Sequence, residues 1–124
     1  MKLGHTGLLD SCKPAGEVLS RVGDKWSVLI VIALRGGPLR FSEIKRVIGS
    51  ISQRMLTLTL RSMERDGFIA RTVIPTAPSR VDYQLTKLGH SLGEPVEVLG
   101  RWAFEHKRDI EEAQTRFDRR KLRG

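Results

Sequence analysis

Apolar positions recur at helical spacing through the first half of the chain, alternate briefly after residue 67, and return to helical spacing toward the end. The segment 14–22, PAGEVLSRV, opens with a proline suited to a first helical turn, where its missing N–H costs nothing. It predicts a short helix with Val18, Leu19 and Val22 turned inward and Gly23 at its end. Asp24 is a good N-cap, and the nearly uninterrupted apolar run KWSVLIVIALR behind it predicts a central buried helix. Gly36, Gly37 and Pro38 stop that helix. In SEIKRVIG, Ser42 can cap, Glu43 falls in the first turn, Ile44, Val47 and Ile48 line one side, and Gly49 ends a helix of about two turns.

After the turn Ser50-Ile51-Ser52, with Ser52 as the next N-cap, residues 53–66 (QRMLTLTLRSMERD) carry two patterns. Leu56, Leu58 and Leu60 alternate as in a strand, whereas the segment length, the Leu56/Leu60/Met63 spacing and the terminal Gly67 favour a helix. Helix is preferred, because strand-forming runs start directly after it. Residues 68–74 and 81–86 are β-rich and are separated by PTAPSR, which predicts a two-stranded hairpin with more than a tight two-residue turn. Thr86 or a neighbour caps a last helical region. Gly93 and Pro95 are expected to divide or kink it, and Val96, Leu99, Trp102, Ala103 and Ile110 form its apolar stripe. The first residues and the basic FDRRKLRG tail are expected to be loose.

Helix, helix, short helix, turn, helix, hairpin, long helix is the order of a winged helix-turn-helix, an α+β class that is mainly α. Its chemistry follows from shape: an exposed helix fits the major groove of B-DNA, and the unpaired N–H groups of its first turn welcome phosphate. At about 100° per residue, Leu56, Thr59, Leu60 and Met63 share one side of the 53–66 helix, and Gln53, Arg54, Thr57 and Arg61 share the other. Arg matches guanine O6/N7 and Gln matches adenine N6/N7, so Gln53, Arg54 and Thr57 are the candidate base readers, Ser52 caps them, and Arg61 is a candidate phosphate contact. Arg40, Lys45 and Arg46 flank the preceding helix and could fix position on phosphates. Arg80, at the hairpin tip, is the candidate wing contact. For each residue the competing interpretation is a solvated polar face.

Charge supports a polyanionic partner. The 22 Lys and Arg against 14 Asp and Glu give +8, and residues 40–87 alone carry a net +5. Such a local surplus attracts nucleic acid through counterion release. With 124 residues, 40% of them apolar, there is room for one core. No apolar run approaches the roughly 18 residues that span a bilayer, and the start lacks a signal-peptide pattern, so the expectation is a cytoplasmic protein without a membrane partner. The single cysteine, Cys12, and the scattered His5, His90 and His106 give no metal-ligand spacing. No carboxylate pair, phosphate-binding glycine loop or adjacent Cys/His pair suggests an enzyme, and neither a metal nor a cofactor is expected.

Three segments carry a specific resemblance: CKPAGEVLSRVGDKWSVLIVIAL, LRFSEIKRVIGSISQRMLTLTLRSMERDGFIARTV and SRVDYQLTKLGHSL. Their GDKW, RFSEI, ISQRMLT and ERDGFIARTV-to-YQLT elements, in this order and spacing, resemble the HxlR-type bacterial winged-helix regulators, close to the MarR type, over about residues 12–107. The resemblance implies a homodimer built from N- and C-terminal dimerisation helices, binding to a roughly two-fold site on double-stranded DNA, and transcriptional control. It divides the chain into an N-terminal arm (1–13), the winged-helix domain with dimerisation helices (14–107), and the end of the C-terminal helix with a basic tail (108–124). Where family members often have Cys-Pro near the start, Lys13 here separates Cys12 from Pro14. Some members use this cysteine to sense oxidants or electrophiles. Thiolate chemistry is favoured beside cations and at helix N-termini, which makes Cys12 a redox-sensing candidate against the alternative of an inert thiol. Trp26 and Trp102 are read as core or interface aromatics, with a small-molecule effector left open. The alternatives to a sequence-specific regulator are a sequence-tolerant nucleic-acid binder and a protein-interaction module.

Overall fold

The computed structural model describes residues 12–123, with side chains described for 15–122. The chain separates into two units, residues 1–93 and 94–124. The first contains α1 (Cys12–Val22), α2 (Lys25–Leu34), β1 (Leu39–Arg40), α3 (Phe41–Ile48), α4 (Gln53–Arg65), β2 (Ile69–Ile74), β3 (Arg80–Leu85) and the start of α5 (Lys87–Arg123). The second is formed by the rest of α5.

Local signals account for most of the boundaries. The Asp24 carboxylate accepts from the backbone N–H groups of Trp26 and Ser27 at 3.2 and 3.3 Å, so α2 begins as its sequence predicts. The cap of α3 differs from expectation. The helix starts at Phe41, and it is the Glu43 side chain, reaching back to accept from the Arg40 N–H at 2.8 Å, that ties its first turn, not Ser42. Gly49 ends α3 at φ +82°, a backbone shape that glycine adopts without the Cβ clash. Segment 53–65 is helical, as the spacing predicts, with Ser52 Oγ accepting from Met55 N–H at 3.0 Å. Its end is a Schellman arrangement: Gly67 at φ +85°, Phe68 N–H donating to Met63 O and Gly67 N–H to Glu64 O.

Ile30, Val31 and Leu34 of α2, Ile44 of α3, Ile51, and Leu56, Leu60 and Met63 of α4 are buried together with Ile69 and Leu85 of the sheet. The two-stranded hairpin is present, with Arg71 opposite Tyr83 and Thr72 opposite Asp82. A strand that the sequence reading omitted joins it: β1 pairs antiparallel with β3, Leu39 opposite Tyr83 and Arg40 opposite Asp82, giving the order β1-β3-β2. This couples the start of α3 to the wing. At the start of α5, the Thr86 hydroxyl donates to Gly67 O at 2.5 Å and accepts from Gly89 N–H at 3.1 Å, while Thr86 N–H donates to Phe68 O.

Other expectations need correction. Helix α1 starts at Cys12, ahead of Pro14; the remainder of the expected arm lies outside the described residues. Val18 and Leu19 are exposed and Val22 is only half-buried, because among the described residues no element covers that side of α1. Val47, expected inward, is also exposed. Gly93 and Pro95 do not divide α5, which runs on through residues 117–123 where a loose tail was expected. Proline removes one backbone donor without necessarily ending a helix, and the arginine- and lysine-rich end consists of good helix formers. Of the apolar stripe, Val96 is buried, whereas Leu99, Trp102, Ala103 and Ile110 are exposed.

Candidate nucleic-acid interface

Helix α4 divides its two faces as the spacing predicts. Leu56, Thr59, Leu60 and Met63 are buried, and Ser52, Gln53, Arg54 and Arg61 are exposed with Thr57 half-buried. Thr59 escapes the cost of burying a hydroxyl by donating to Met55 O at 2.8 Å. Thr57 donates to Gln53 O at 2.9 Å, which leaves its oxygen able to accept. The α4 N-terminus therefore presents two long polar side chains on a helix that its buried face holds in place.

The strand pairing assigns the remaining cations to faces. Paired strand residues point to the same side of a sheet, and successive ones alternate. Arg40, Thr72, Asp82 and Arg80 therefore share the face opposite the buried Ile69 and Leu85. On that face the Arg80 Nε lies 3.3 Å from an Asp82 carboxylate oxygen, so the hairpin-tip cation is held by its own strand rather than free. Arg40 stands opposite Asp82 on β1 and is exposed. Arg40 and Arg80, far apart in sequence, thus lie on one face of the sheet, with Arg80 paired to Asp82. Of the flanking cations on α3, Arg46 is exposed and Lys45 half-buried.

Sequence reasoning missed Arg71. It shares a face with Ile69 and Leu85 and lines, with Phe41, Thr57, Leu60, Arg61, Glu64 and Tyr83, a groove of about 460 Å³ between α4 and the sheet. The available signal was the alternation Ile69-Arg71-Val73, which places an arginine on the core-side face of a strand.

Cys12 is the first residue of α1, and its side chain lies outside those described. Trp26 is half-buried, with the Lys25 ammonium 4.3 Å from its ring centroid. Trp102 is half-exposed and stacks on His106 at 4.5 Å. Among the described residues no His/Cys/Asp/Glu group could hold a metal ion, and no described helix is long and apolar enough to cross a membrane.

Comparison with known proteins gives concordant results. The family model of the HxlR-like helix-turn-helix matches residues 21–111. An uncharacterized HTH-type transcriptional regulator, YtfH of Escherichia coli (strain K12), is 45% identical over 89 residues, spanning 72% of this chain and 71% of its own. Among solved structures, the redox regulator HypR in its reduced form superposes with a TM-score of 0.73 at 35% identity, covering 81% of this chain and 99% of HypR. Diamide-treated YodB from B. subtilis superposes with a TM-score of 0.66 at 35% identity, covering 76% of this chain and 93% of YodB.

Proposed function

The chain belongs to the HxlR-like helix-turn-helix family and is a transcriptional regulator, not an enzyme; from that premise we propose that it binds a specific double-stranded DNA site as a homodimer. Gln53, Arg54 and Thr57 read base edges in the major groove, the α4 N-terminus capped by Ser52 approaches a phosphate, and Arg40, Arg61 and Arg80 fix register on the backbone. The observation that carries this reading is the division of α4: four side chains packed beneath it and an exposed Gln53/Arg54 edge at its start. Rigid support of this kind is what base readout demands of a helix.

The homodimer reading draws on apolar surface that the described residues leave uncovered. Val18 and Leu19 on α1, and Leu99, Trp102 and Ile110 on α5, are each more than two-fifths exposed. Covering such surface contributes about 25 cal/mol per Å², and its position on the first and last described helices suits N- and C-terminal dimerisation elements.

Selection of bound duplexes from a random pool, combined with sedimentation, tests both parts. The expected result is a dimer that enriches two related half-sites with centres about 10 base pairs, or a multiple of that, apart. Binding that tolerates any sequence and weakens steeply with salt would instead identify an architectural nucleic-acid protein.

Cys12 is assigned the signal. Its place at the start of α1, within the dimerisation region proposed above, means that a bond between two such thiols could reorient the two reading heads. The similarity to HypR and to diamide-treated YodB supports this assignment. Diamide would take two electrons and two protons from the Cys12 thiols of two chains, leaving a disulfide and the reduced hydrazine. Cys12→Ser is expected to keep its operator affinity and lose the diamide response, both read by fluorescence anisotropy. A variant that still responds would remove Cys12 from the mechanism.

A further inference from the structure

We infer that the groove between α4 and the sheet is a phosphate seat that grips the DNA backbone, with Arg71 on the sheet wall and Arg61 on the helix wall as its cations and Tyr83 as a hydroxyl donor. This rests on the DNA-binding reading above and adds residues to it that the sequence did not suggest.

The geometry comes from two periodicities meeting. Along β2, Arg71 lies one alternation beyond the buried Ile69, so its side chain leaves the sheet on the core-side face just where the core ends. Tyr83 is its direct cross-strand partner and shares that face. Along α4, Thr57, Arg61 and Glu64 are spaced four and three residues apart and so line one stripe facing the same groove. Phe41 and Leu60 supply apolar lining. The groove is therefore walled by one guanidinium from a helix and one from a strand.

The charges in the groove point to an anion. Among the described residues, neither Arg61 nor Arg71 takes part in an ion pair, although Glu64 lines the same groove. Two cations against one carboxylate leave the space positive, and guanidinium groups favour phosphate through charge-assisted hydrogen bonds. Glu64, one helical turn beyond Arg61 toward the α4 C-terminus, repels a phosphate from that end. The seat is thus confined to the stretch bounded by Thr57, Arg61, Arg71 and Tyr83. A helix lying in the major groove has a phosphodiester strand running alongside it, on the side where α4 meets the wing. That placement favours a backbone phosphate over a free one.

The test measures affinity of the full-length protein for its selected duplex and for a scrambled duplex across a salt series. Arg71→Gln is expected to weaken both by about tenfold and to lower the slope of log K against log salt by about one. Arg71→Lys should restore most of the slope, because the charge remains. Tyr83→Phe should cost about threefold, as expected for one lost hydrogen bond, with the slope intact. Glu64→Gln should bind about threefold tighter, since a like charge beside the phosphate is gone.

An unchanged slope in Arg71→Gln, with Arg54→Ala still losing sequence preference, would overturn the seat and leave the reading helix standing. Wild-type protein that selects no duplex would instead overturn the DNA-binding reading itself. Arg71→Gln that melts lower, together with Arg71→Lys that recovers the melting temperature but not the slope, would make Arg71 a packing residue. Inorganic phosphate that displaces the duplex from wild type at constant ionic strength, but not from Arg71→Gln, would make free phosphate the ligand and overturn the DNA assignment.

Discussion

Alanine at Gly89 is expected to lower the melting temperature by roughly 6 to 15 °C, equivalent to a loss of about 2 to 3 kcal/mol. A Cβ at this position would stand 2.1 Å from the Phe68 carbonyl oxygen and 3.0 Å from a Leu85 methyl group. The obstacle is backbone, so no rotamer change relieves it. The Phe68 carbonyl also accepts the Thr86 N–H, and pushing it aside breaks the bond that holds the start of α5 against the start of β2. Gly16, exposed on α1 with nothing within 4 Å of the place a methyl group would take, is the contrasting site. There alanine should stabilise by about 0.5 to 1 kcal/mol through helix propensity. Thermal unfolding followed by circular dichroism measures both. A Gly89→Ala protein melting within a degree or two of wild type would mean that the α5–β2 approach is looser than described.

Arg54→Ala is expected to reduce affinity for the selected site by roughly 5- to 150-fold, the span of about 1 to 3 kcal/mol for a bidentate base contact. Its melting temperature should remain that of wild type, because Arg54 is exposed and has no ion pair among the described residues. The diagnostic feature is selectivity. Loss on the selected duplex should far exceed loss on a scrambled one, and repeating the selection with the variant should relax preference at one position in each half-site. Equal losses on both duplexes would move Arg54 to the phosphate contacts and leave Gln53 and Thr57 as the remaining readers.

The central part of this architecture was legible because its determinants are local. Asp24 and Ser52 sit directly before the helices they cap, and Leu56, Thr59, Leu60 and Met63 declare their shared face by spacing alone. Even the ambiguous leucine alternation was resolved by a nearby glycine stop. What escaped depends on partners far along the chain. Leu39 and Arg40 form a strand only because β3, more than forty residues later, lies beside them. Val18 and Leu19 were expected inside because apolar residues on a short helix need cover, and the described residues do not supply it. Arg71 passed unnoticed because it lies within a run of β-forming residues, and only the pairing with Tyr83 shows which face it takes. The sequence singles out Arg80 as a candidate wing contact but not the Asp82 that pairs with it, although the two are separated by one residue.

The Thr86 hydroxyl bridges Gly67, just past the end of α4, and Gly89, in the first turn of α5. One oxygen thus joins the end of α4 to the start of α5. A displacement of the first turn of α5 must carry the end of α4 with it or break one of these two bonds. In the dimer proposed above, a signal acting on the start of α5 is expected to move the two α4 helices as units, and a duplex with its half-site spacing altered to match is expected to recover affinity for the induced protein.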